Sequence, residues 1–204
     1  MSYDAVADGE LAAVVTYLEM RAPSGEPIPS SPLSLRPIEQ PDPDAYRALF
    51  RLVGAPWLWF SRLVMDDAKL GAIIHDPNVE LFAVTDEGGR EVGMLELDFR
   101  EAGQCELAFI GLIPELSGKG HGRWLLAEAI HRTWRDGVSR VHVHTCSLDH
   151  PAALAAYRRA GFTPHKRAVE RFPDPRLTGI LPLDCAPQVP LLGTPAPPRP
   201  ASRT

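Results

Sequence analysis

Three glycines, Gly118, Gly120 and Gly122, lie close together between two apolar runs and are the residues whose spacing most clearly suggests chemistry. The first apolar run ends at Pro114 and the second begins at Trp124. Glycine lets a ligand approach the backbone because no Cβ stands in the way. The free N–H groups at the start of a helix point along the positive end of its dipole and favour phosphate. The pattern therefore predicts an anion-binding loop between a strand and a helix.

Two common phosphate-binding patterns do not fit this loop. A Walker loop requires Ser or Thr after its Gly-Lys pair, but Gly120 follows Gly118 and Lys119, and Ile113 stands where the pattern's first glycine belongs. The dinucleotide-binding pattern requires a glycine at the position of Arg123. Both patterns are excluded.

The stretch GLIPELSGKGHGRWLL, residues 111–126, resembles the signature of the GCN5-related N-acetyltransferase (GNAT) superfamily. In that superfamily the strand lies beside the pantetheine arm of acetyl-CoA, and the amides of the loop bind its pyrophosphate. One departure is Ser117, which stands where Arg or Gln is usual. The resemblance implies a set of residues that bind acetyl-CoA: Leu112, Ile113, Ser117, Gly118, Lys119, Gly120, His121, Gly122 and Arg123.

A second stretch, HPAALAAYRRAGF at residues 150–162, resembles another segment of the same superfamily. Ala153, Tyr157, Gly161 and Phe162 match that segment, whereas His150 replaces its usual asparagine. By position His150 joins the residues implied to bind the cofactor. A helix and a strand separate the two motifs, as the superfamily requires, and the resemblance extends over residues 33–172.

Acetyl transfer to an amine has three chemical requirements, and the resemblance assigns residues to two of them. The amine must lose a proton, since a lysine-type amine of pKa 10.4 is neutral in only about one molecule in 2500 at pH 7. The backbone N–H of Leu112 is the implied donor to the tetrahedral oxyanion. Tyr157 is the implied acid that protonates the departing CoA thiolate. Packing of Tyr157 on an amphipathic helix is the structural alternative.

Glu106 is the candidate base that takes the proton of the amine. It begins the stretch ELAFIGL, which resembles the strand that carries the glutamate base of histone-acetylating relatives. Apolar neighbours predict a raised pKa for this carboxyl group, which would suit proton uptake directly or through water. The alternative is a partly exposed carboxylate on the face of a strand.

Three further residues, His142, His144 and Cys146, suggest other chemistry. The two histidines lie on one face of a predicted strand, where a metal site is conceivable. No third ligand is evident, so we expect no metal and interpret them as surface or site-lining residues. Cys146 is not expected to act as a covalent nucleophile, because direct transfer within a ternary complex needs none.

The acceptor side is poorly defined by the sequence. In this superfamily the first helices and the last hairpin enclose it, which directs attention to Trp57, Trp59, Arg62, Glu170 and Arg171. Aromatic residues with an arginine suit a small amine that also carries a carboxylate. A packed pair of helices with charges at its rim is the alternative.

The predicted elements follow the order strand, helices, three strands, helix, strand, helix, strand. This order predicts an α/β fold, and the resemblance specifies a GNAT-like, mostly antiparallel sheet with flanking helices and a splayed central strand pair. Residues 1–32 form an N-terminal extension whose segment Val14–Met20 adds a strand ahead of the usual first one. Residues 33–172 form the GNAT domain. Residues 173–204 form a proline-rich extension predicted to be partly disordered, including its tail TPAPPRPASRT.

Composition excludes some partners and compartments. A net charge of −5 argues against general nucleic-acid binding. No apolar run reaches the length of about 20 residues that a membrane span requires. Three cysteines without paired spacing and the lack of a signal peptide predict a cytoplasmic protein. Homodimers are common in the superfamily, but these residues do not decide the oligomeric state.

The leading hypothesis is an acetyl-CoA-dependent N-acetyltransferase that acts on an amine of a small molecule or protein. Two alternatives stay open. One is transfer of a longer acyl group, because the pantetheine site does not read chain length. The other is a CoA-sensing module that binds the cofactor without turnover.

Overall fold

The computed structural model describes residues 3–195, which fold into a seven-stranded sheet with four α-helices. The strands are β1 (Glu10–Met20), β2 (Ser34–Pro37), β3 (Val79–Thr85), β4 (Glu91–Asp98), β5 (Gln104–Leu112), β6 (Arg140–Cys146) and β7 (Thr163–Pro173). The helices are α1 (Pro43–Gly54), α2 (Asp67–Ile74), α3 (His121–Thr133) and α4 (Ala153–Arg159). The sheet order is β2-β3-β4-β5-β6-β1-β7, and only β5 and β6 pair in parallel. The predicted α/β fold class is confirmed.

Local signals account for where the first helices begin. The side chain of Asp42 accepts hydrogen bonds from the backbone N–H groups of Asp44 and Ala45, at 3.1 and 2.9 Å, and Pro43 occupies the first turn of α1. Asp66 caps α2 in the same way, accepting from the N–H of Lys69 at 2.8 Å. These caps satisfy N–H groups that a helix leaves unpaired at its start.

Two hydrophobic clusters lie on opposite faces of the sheet. One contains residues of α1 and α2 against β3 and β4, with Phe50 and Leu70 fully buried. The other contains α3 and α4 against β4, β5, β6 and β1, with Leu125 and Leu107 at its centre. Each such side chain contributes roughly 1.5–3 kcal/mol by leaving water. The helices are thereby fixed on the sheet from both sides.

The parallel pair β5–β6 is very short and then opens. Only Gln104, Cys105 and Glu106 of β5 pair with β6. On the other edge of β5, Glu96 pairs with Phe109 and Leu97 with Leu107, so Ala108 is an extra residue that forms a bulge. A bulge bends its strand. Because it falls just after the last parallel pair, β5 turns away from β6 and leaves a gap between them.

The N-terminal extension contains a strand, β1, that precedes β2 in the chain. Its place in the sheet was not predicted: β1 pairs with both β6 and β7 inside the sheet. Leu18 and Met20 are buried in the cluster below α3, and Glu19 binds Arg140 of β6 at 2.7 Å. Strand alternation identifies a buried face, but it does not specify which strands will be the neighbours.

The C-terminal extension is packed over the residues that the structure describes. Asp174 and Arg176 form a buried ion pair at 2.7 Å. Leu181 and Ala186 bury themselves against Leu58, which precedes α2. This packing is not evident from the sequence, because scattered apolar residues find a partner surface that only the folded chain provides. The partial disorder of the extension stays a prediction. Residues 196–204, the larger part of the predicted disordered tail, lie outside the described residues.

None of the helices within residues 3–195 is long and apolar enough to cross a membrane.

Candidate active site

A cavity of about 1570 Å³ follows the gap between β5 and β6 and continues to the start of α3. At one end it is lined by the glycine loop and by Arg123 of α3. At the other end it is lined by aromatic residues before α2 and by β6 and β7. We call these ends the cofactor half and the acceptor half. Tyr157 and Glu106 both line the same cavity.

The glycine loop presents bare backbone to the cofactor half. Gly118 and Gly120 have φ angles of +74° and +84°, a region that residues with a Cβ rarely adopt. A Cβ added at Gly118, Gly120 or Gly122 would meet no atom within 4 Å, so all three border open space. Gly120 caps α3 without a side-chain hydrogen bond, which leaves N–H groups of the first turn available. This arrangement fits a diphosphate group.

The other residues assigned to the cofactor lie in varied positions. Ser117 and Arg123 line the cavity, whereas Lys119 and His121 are not among its lining residues. The Nδ1 of His121 lies 3.4 Å from the Oγ of Ser31, in the segment between β1 and β2. His150 lines the cavity and stacks edge-on against Trp57, with ring centroids 5.0 Å apart.

The last residue of β5 exposes its N–H group to the gap. Ile113 donates its N–H to the carbonyl of Val92 on the β4 side at 2.9 Å. Successive N–H groups of a strand point to opposite edges, so the N–H of Leu112 points away from β4, toward the gap. Leu112 also lines the cavity. A donor in this position is suited to a developing oxyanion.

Tyr157 lies on α4, where its ring packs edge-on against Phe162 with centroids 5.9 Å apart. Burial raises the pKa of this phenol above its usual range, and the negative charge of Asp149 adds to the effect. Tyr157 therefore keeps its proton at neutral pH. A protonated phenol in the cavity is able to donate to a thiolate.

Glu106 does not have the raised pKa that its apolar neighbours suggested. Its Oε1 lies 3.2 Å from the Nδ1 of His144 across the gap. The hydrogen bond from His144 is the main reason why the pKa of Glu106 is lowered, with burial opposing it and charges at His144 and His142 supporting it. This part of the prediction is wrong, because the histidine partner lies on a strand 38 positions later in the chain and is not apparent from the local sequence.

His144 is a residue to which the sequence interpretation gave no catalytic role. Its side chain is 49% exposed and lines the cavity beside Glu106. The hydrogen bond with Glu106 raises the pKa of His144, burial opposes this, and the charges of Glu106, Asp149 and Glu170 raise it further. The two-residue spacing of His142 and His144 places both side chains on one face of a strand. The contact of His144 with Glu106 could be predicted only by knowing that β5 lies next to β6.

The wall of the acceptor half depends on Trp59. Its ring fits against Gly111, where a Cβ would come within 3.2 Å of it, and its Nε1 donates to Asp149 at 3.0 Å. Asp149 also accepts from the Oγ1 of Thr145 at 2.7 Å and from the N–H of Cys146 at 2.8 Å. Trp59 thus joins the segment before α2 to the end of β6.

Arg62 has a different environment from the one its sequence context suggested. Its Nη2 binds the fully buried carboxylate of Glu96 at 2.5 Å, and Tyr46 donates to the same carboxylate. The guanidinium also lies 5.1 Å from the ring centre of Phe109. Because its charge is already matched inside the protein, Arg62 is poorly suited to bind the carboxylate of an acceptor.

Two further residues that the sequence assigned to the acceptor side lie on β7. Glu170 lines the cavity, whereas Arg171 is not among the lining residues.

Burial, followed by the charge of Asp149, raises the pKa of Cys146 to about 11. At neutral pH this thiol is therefore protonated and a weak nucleophile. Within residues 3–195 no group of three or more His, Cys, Asp or Glu side chains is arranged to hold a metal ion.

Comparisons with known proteins bear on this fold and cavity. A sequence model of the acetyltransferase (GNAT) family matches residues 44–162, more than half of the chain. No curated protein matches the chain. A GCN5-related N-acetyltransferase from Sphaerobacter thermophilus has 21% identity and a TM-score of 0.57, over 79% of this chain and 51% of that one.

Two further solved structures have the same fold. A GCN5-related N-acetyltransferase from Kribbella flavida has 17% identity and a TM-score of 0.52, over 82% of this chain and 60% of that one. An aminoglycoside acetyltransferase from an uncultured soil metagenomic sample, solved in complex with trehalose, has 19% identity and a TM-score of 0.53, over 68% of this chain and 93% of that one. The chain spans about half the length of the Sphaerobacter protein. Because the family model matches residues 44–162 and the fold agrees with it, the chain belongs to the acetyltransferase (GNAT) family.

Proposed function

We propose that this protein is an acetyl-CoA-dependent N-acetyltransferase that transfers the acetyl group directly to an amine within a ternary complex. Family membership supports acyl transfer as the general reaction. The observation that carries the finer proposal is the single cavity that joins the glycine loop to Leu112, Glu106 and Tyr157. A cofactor and an acceptor bound in its two halves would meet at the gap between β5 and β6.

In this proposal the cofactor half binds acetyl-CoA mainly through backbone. The N–H groups at the start of α3 bind the diphosphate, and Arg123 adds a positive charge at the same end of the cavity. The edge of β5 that faces the gap offers its N–H and C=O groups to the pantetheine arm. Acetyl-CoA supplies the activated acetyl group as a thioester.

The residues at the gap would divide the chemistry of transfer. The N–H of Leu112 stabilises the oxyanion that forms when the amine attacks the carbonyl carbon. Tyr157, which is protonated at neutral pH, donates its proton to the departing thiolate. A carboxylate-bearing environment, with Glu106 and Glu170 lining the acceptor half, favours a positively charged amine over an acid.

We further propose a cytoplasmic location, which the three free cysteines support. The acceptor is proposed to be an amine of a small molecule or a protein. An aminoglycoside is one such acceptor class, suggested by the fold of the metagenomic aminoglycoside acetyltransferase. Homodimerisation stays a proposal on the resemblance alone.

Release of free CoA thiol tests this function. Acetyl-CoA is incubated with the protein and one of three amines, 1,5-diaminopentane, tyramine or a lysine-containing peptide, and products are examined by mass spectrometry. We expect at least one amine to stimulate thiol release and to gain an acetyl group. Binding of acetyl-CoA without thiol release would contradict turnover and favour a sensor. Faster release from octanoyl-CoA than from acetyl-CoA would instead support transfer of a longer acyl group.

A further inference from the structure

The splay between β5 and β6 brings a carboxylate and an imidazole together in the cavity. Glu106 is the last residue of β5 that pairs with β6, where it lies opposite His142. The Nδ1 of His144, two residues further along β6, lies 3.2 Å from Glu106 Oε1. Both side chains line the cavity at the place where the two halves meet.

The second ring nitrogen of His144 remains available. Within residues 3–195 no hydrogen bond engages its Nε2, while the side chain is half-exposed. A carboxylate that accepts from Nδ1–H holds an imidazole in one tautomer and leaves a lone pair on Nε2. This is the arrangement that a proton acceptor requires.

We propose that His144 is the general base of this site and that Glu106 is a positioning residue that holds its imidazole. The proposal rests on the acetyltransferase function proposed above, and it replaces the assignment of Glu106 as the base. His144 was not among the residues that the motifs identified, because its role depends on the gap and not on its own strand.

The proton balance of the reaction is consistent with this assignment. Two protons must leave the ammonium nitrogen of the acceptor. The first passes to Nε2 of His144, which becomes an imidazolium beside the carboxylate of Glu106. The neutral amine then forms the C–N bond, and the C–S bond breaks. The departing thiolate takes the proton of Tyr157, and the second proton from nitrogen restores the Tyr157 phenol by way of solvent. His144 returns the first proton to solvent, so the reaction yields the amide, the CoA thiol and one proton.

The difference in basicity favours His144 over Glu106. The pKa of Glu106 lies below its ordinary value of 4.5, about six units or more below that of an alkyl amine. The pKa of His144 lies above its ordinary value of 6.5, so the gap to the amine is below about four units. Because proton transfer becomes more efficient as the two pKa values approach each other, the imidazole is the better acceptor.

Groups of both charges surround His144. Tyr17 of β1 lies beside it with ring centroids 5.8 Å apart, and Lys166 of β7 lies over the same tyrosine at 4.9 Å. Asp149 and Glu170 add negative charge, and His142 precedes it on β6. Carboxylates predominate, so His144 is expected to lose its proton above pH 6.5, and activity is expected to rise with pH through that pKa.

Kinetics of three variants test the base. The pH dependence of kcat/KM is measured for wild type, His144→Gln, Glu106→Gln and the control His142→Gln, with the amine accepted in the thiol-release assay. We expect His144→Gln to lower kcat about 10²–10⁴-fold and to abolish the acidic limb of the profile. Glu106→Gln should lower kcat less and move the limb to lower pH. His142→Gln, on the same face of β6, should leave kcat unchanged. An acidic limb that survives in His144→Gln but disappears in Glu106→Gln would overturn the proposal.

A second measurement needs no acceptor. The ¹⁵N resonances of the His144 imidazole are followed by NMR through a pH titration, in wild type and in Glu106→Gln. We expect a neutral tautomer with its proton on Nδ1 and a pKa that falls in the variant. A proton on Nε2, or a pKa insensitive to Glu106, would overturn the proposal even if amines are acetylated. The expected NMR result without thiol release from bound acetyl-CoA would instead refute the proposed function, and the base role with it.

Discussion

The two halves of the cavity differ in the groups that line them, which are backbone in one half and side chains in the other. The cofactor half presents backbone N–H groups from one continuous stretch, in which Gly118, Gly120 and Gly122 border open space. The acceptor half presents side chains from segments far apart in the chain, including Trp59, Glu106 and Glu170. A site made of backbone leaves a short local motif in the sequence. A site made of side chains depends on which elements become neighbours.

The largest loss of activity is expected from substitution of Tyr157, which lies where the two halves meet. Replacing it with Phe removes the phenolic proton while keeping the ring against Phe162, so we expect kcat to fall about 10²–10⁴-fold. The affinity for acetyl-CoA, measured by calorimetry, should stay the same because backbone groups dominate that half. An unchanged kcat would mean that Tyr157 is only a packing residue.

The next prediction concerns the buried charges behind the acceptor half. Arg62→Met leaves the carboxylate of Glu96 buried without its cation, which should lower the free energy of unfolding by about 3–5 kcal/mol. Urea denaturation measures this difference. Adding Glu96→Gln to the same variant should restore part of the loss, because the uncompensated charge is then removed. A loss below about 1 kcal/mol in the single variant would contradict a buried ion pair between Arg62 and Glu96.

A smaller effect is expected in the C-terminal segment that supports the acceptor wall. Leu181 is 3% exposed and packs with Leu58, so Leu181→Ala should cost about 2–3 kcal/mol of stability, near the low end for a buried leucine. It should also raise KM for the acceptor more than for acetyl-CoA. Leu183, which is 51% exposed, is the matched control, and Leu183→Ala should change neither quantity. Equal effects of the two substitutions would argue that the segment does not pack as described.

The smallest effect on stability is expected at β1, which pairs with β6. Hydrogen bonds from Arg140, and then from Arg21, lower the pKa of Glu19 to about 2. A lowered carboxyl pKa stabilises the fold above the unfolded value near 4.5, and this contribution disappears as pH falls toward 2. Glu19→Gln should therefore cost below about 1 kcal/mol at pH 7, since the group is partly exposed. The difference from wild type in urea unfolding should be smaller at pH 3. A constant difference would exclude the ion pair as its cause.

What could be predicted from the sequence follows the same division. The glycine loop, the flanking strand and helix, and Tyr157 were visible because their residues lie within short motifs. The antiparallel order of β3, β4 and β5 followed from consecutive strands with turns such as the one at Gly89. The fold class and the family were predicted from these features and are confirmed.

The remaining features depend on long-range pairing. The position of β1 between β6 and β7 and the packing of Leu181 on Leu58 follow from surfaces that exist only after folding. The lowered pKa of Glu106 needs His144 on the facing strand. The bulge at Ala108 opens the gap itself, yet Ala108 has no special side chain that would mark it in the sequence.

The central claim is that the glycine loop at the start of α3 binds acetyl-CoA through its backbone, and calorimetric titration of acetyl-CoA tests it most directly. The variant Gly120→Glu places a negative charge and a strained backbone in the loop, where φ is +84°. Gly89→Glu is the matched control, with a φ of +79° at an exposed turn away from the cavity. We predict that wild type and Gly89→Glu bind equally and that Gly120→Glu binds at least about tenfold more weakly, or about 1.4 kcal/mol. Absence of binding by the wild type, or equal binding by all three proteins, would contradict the account.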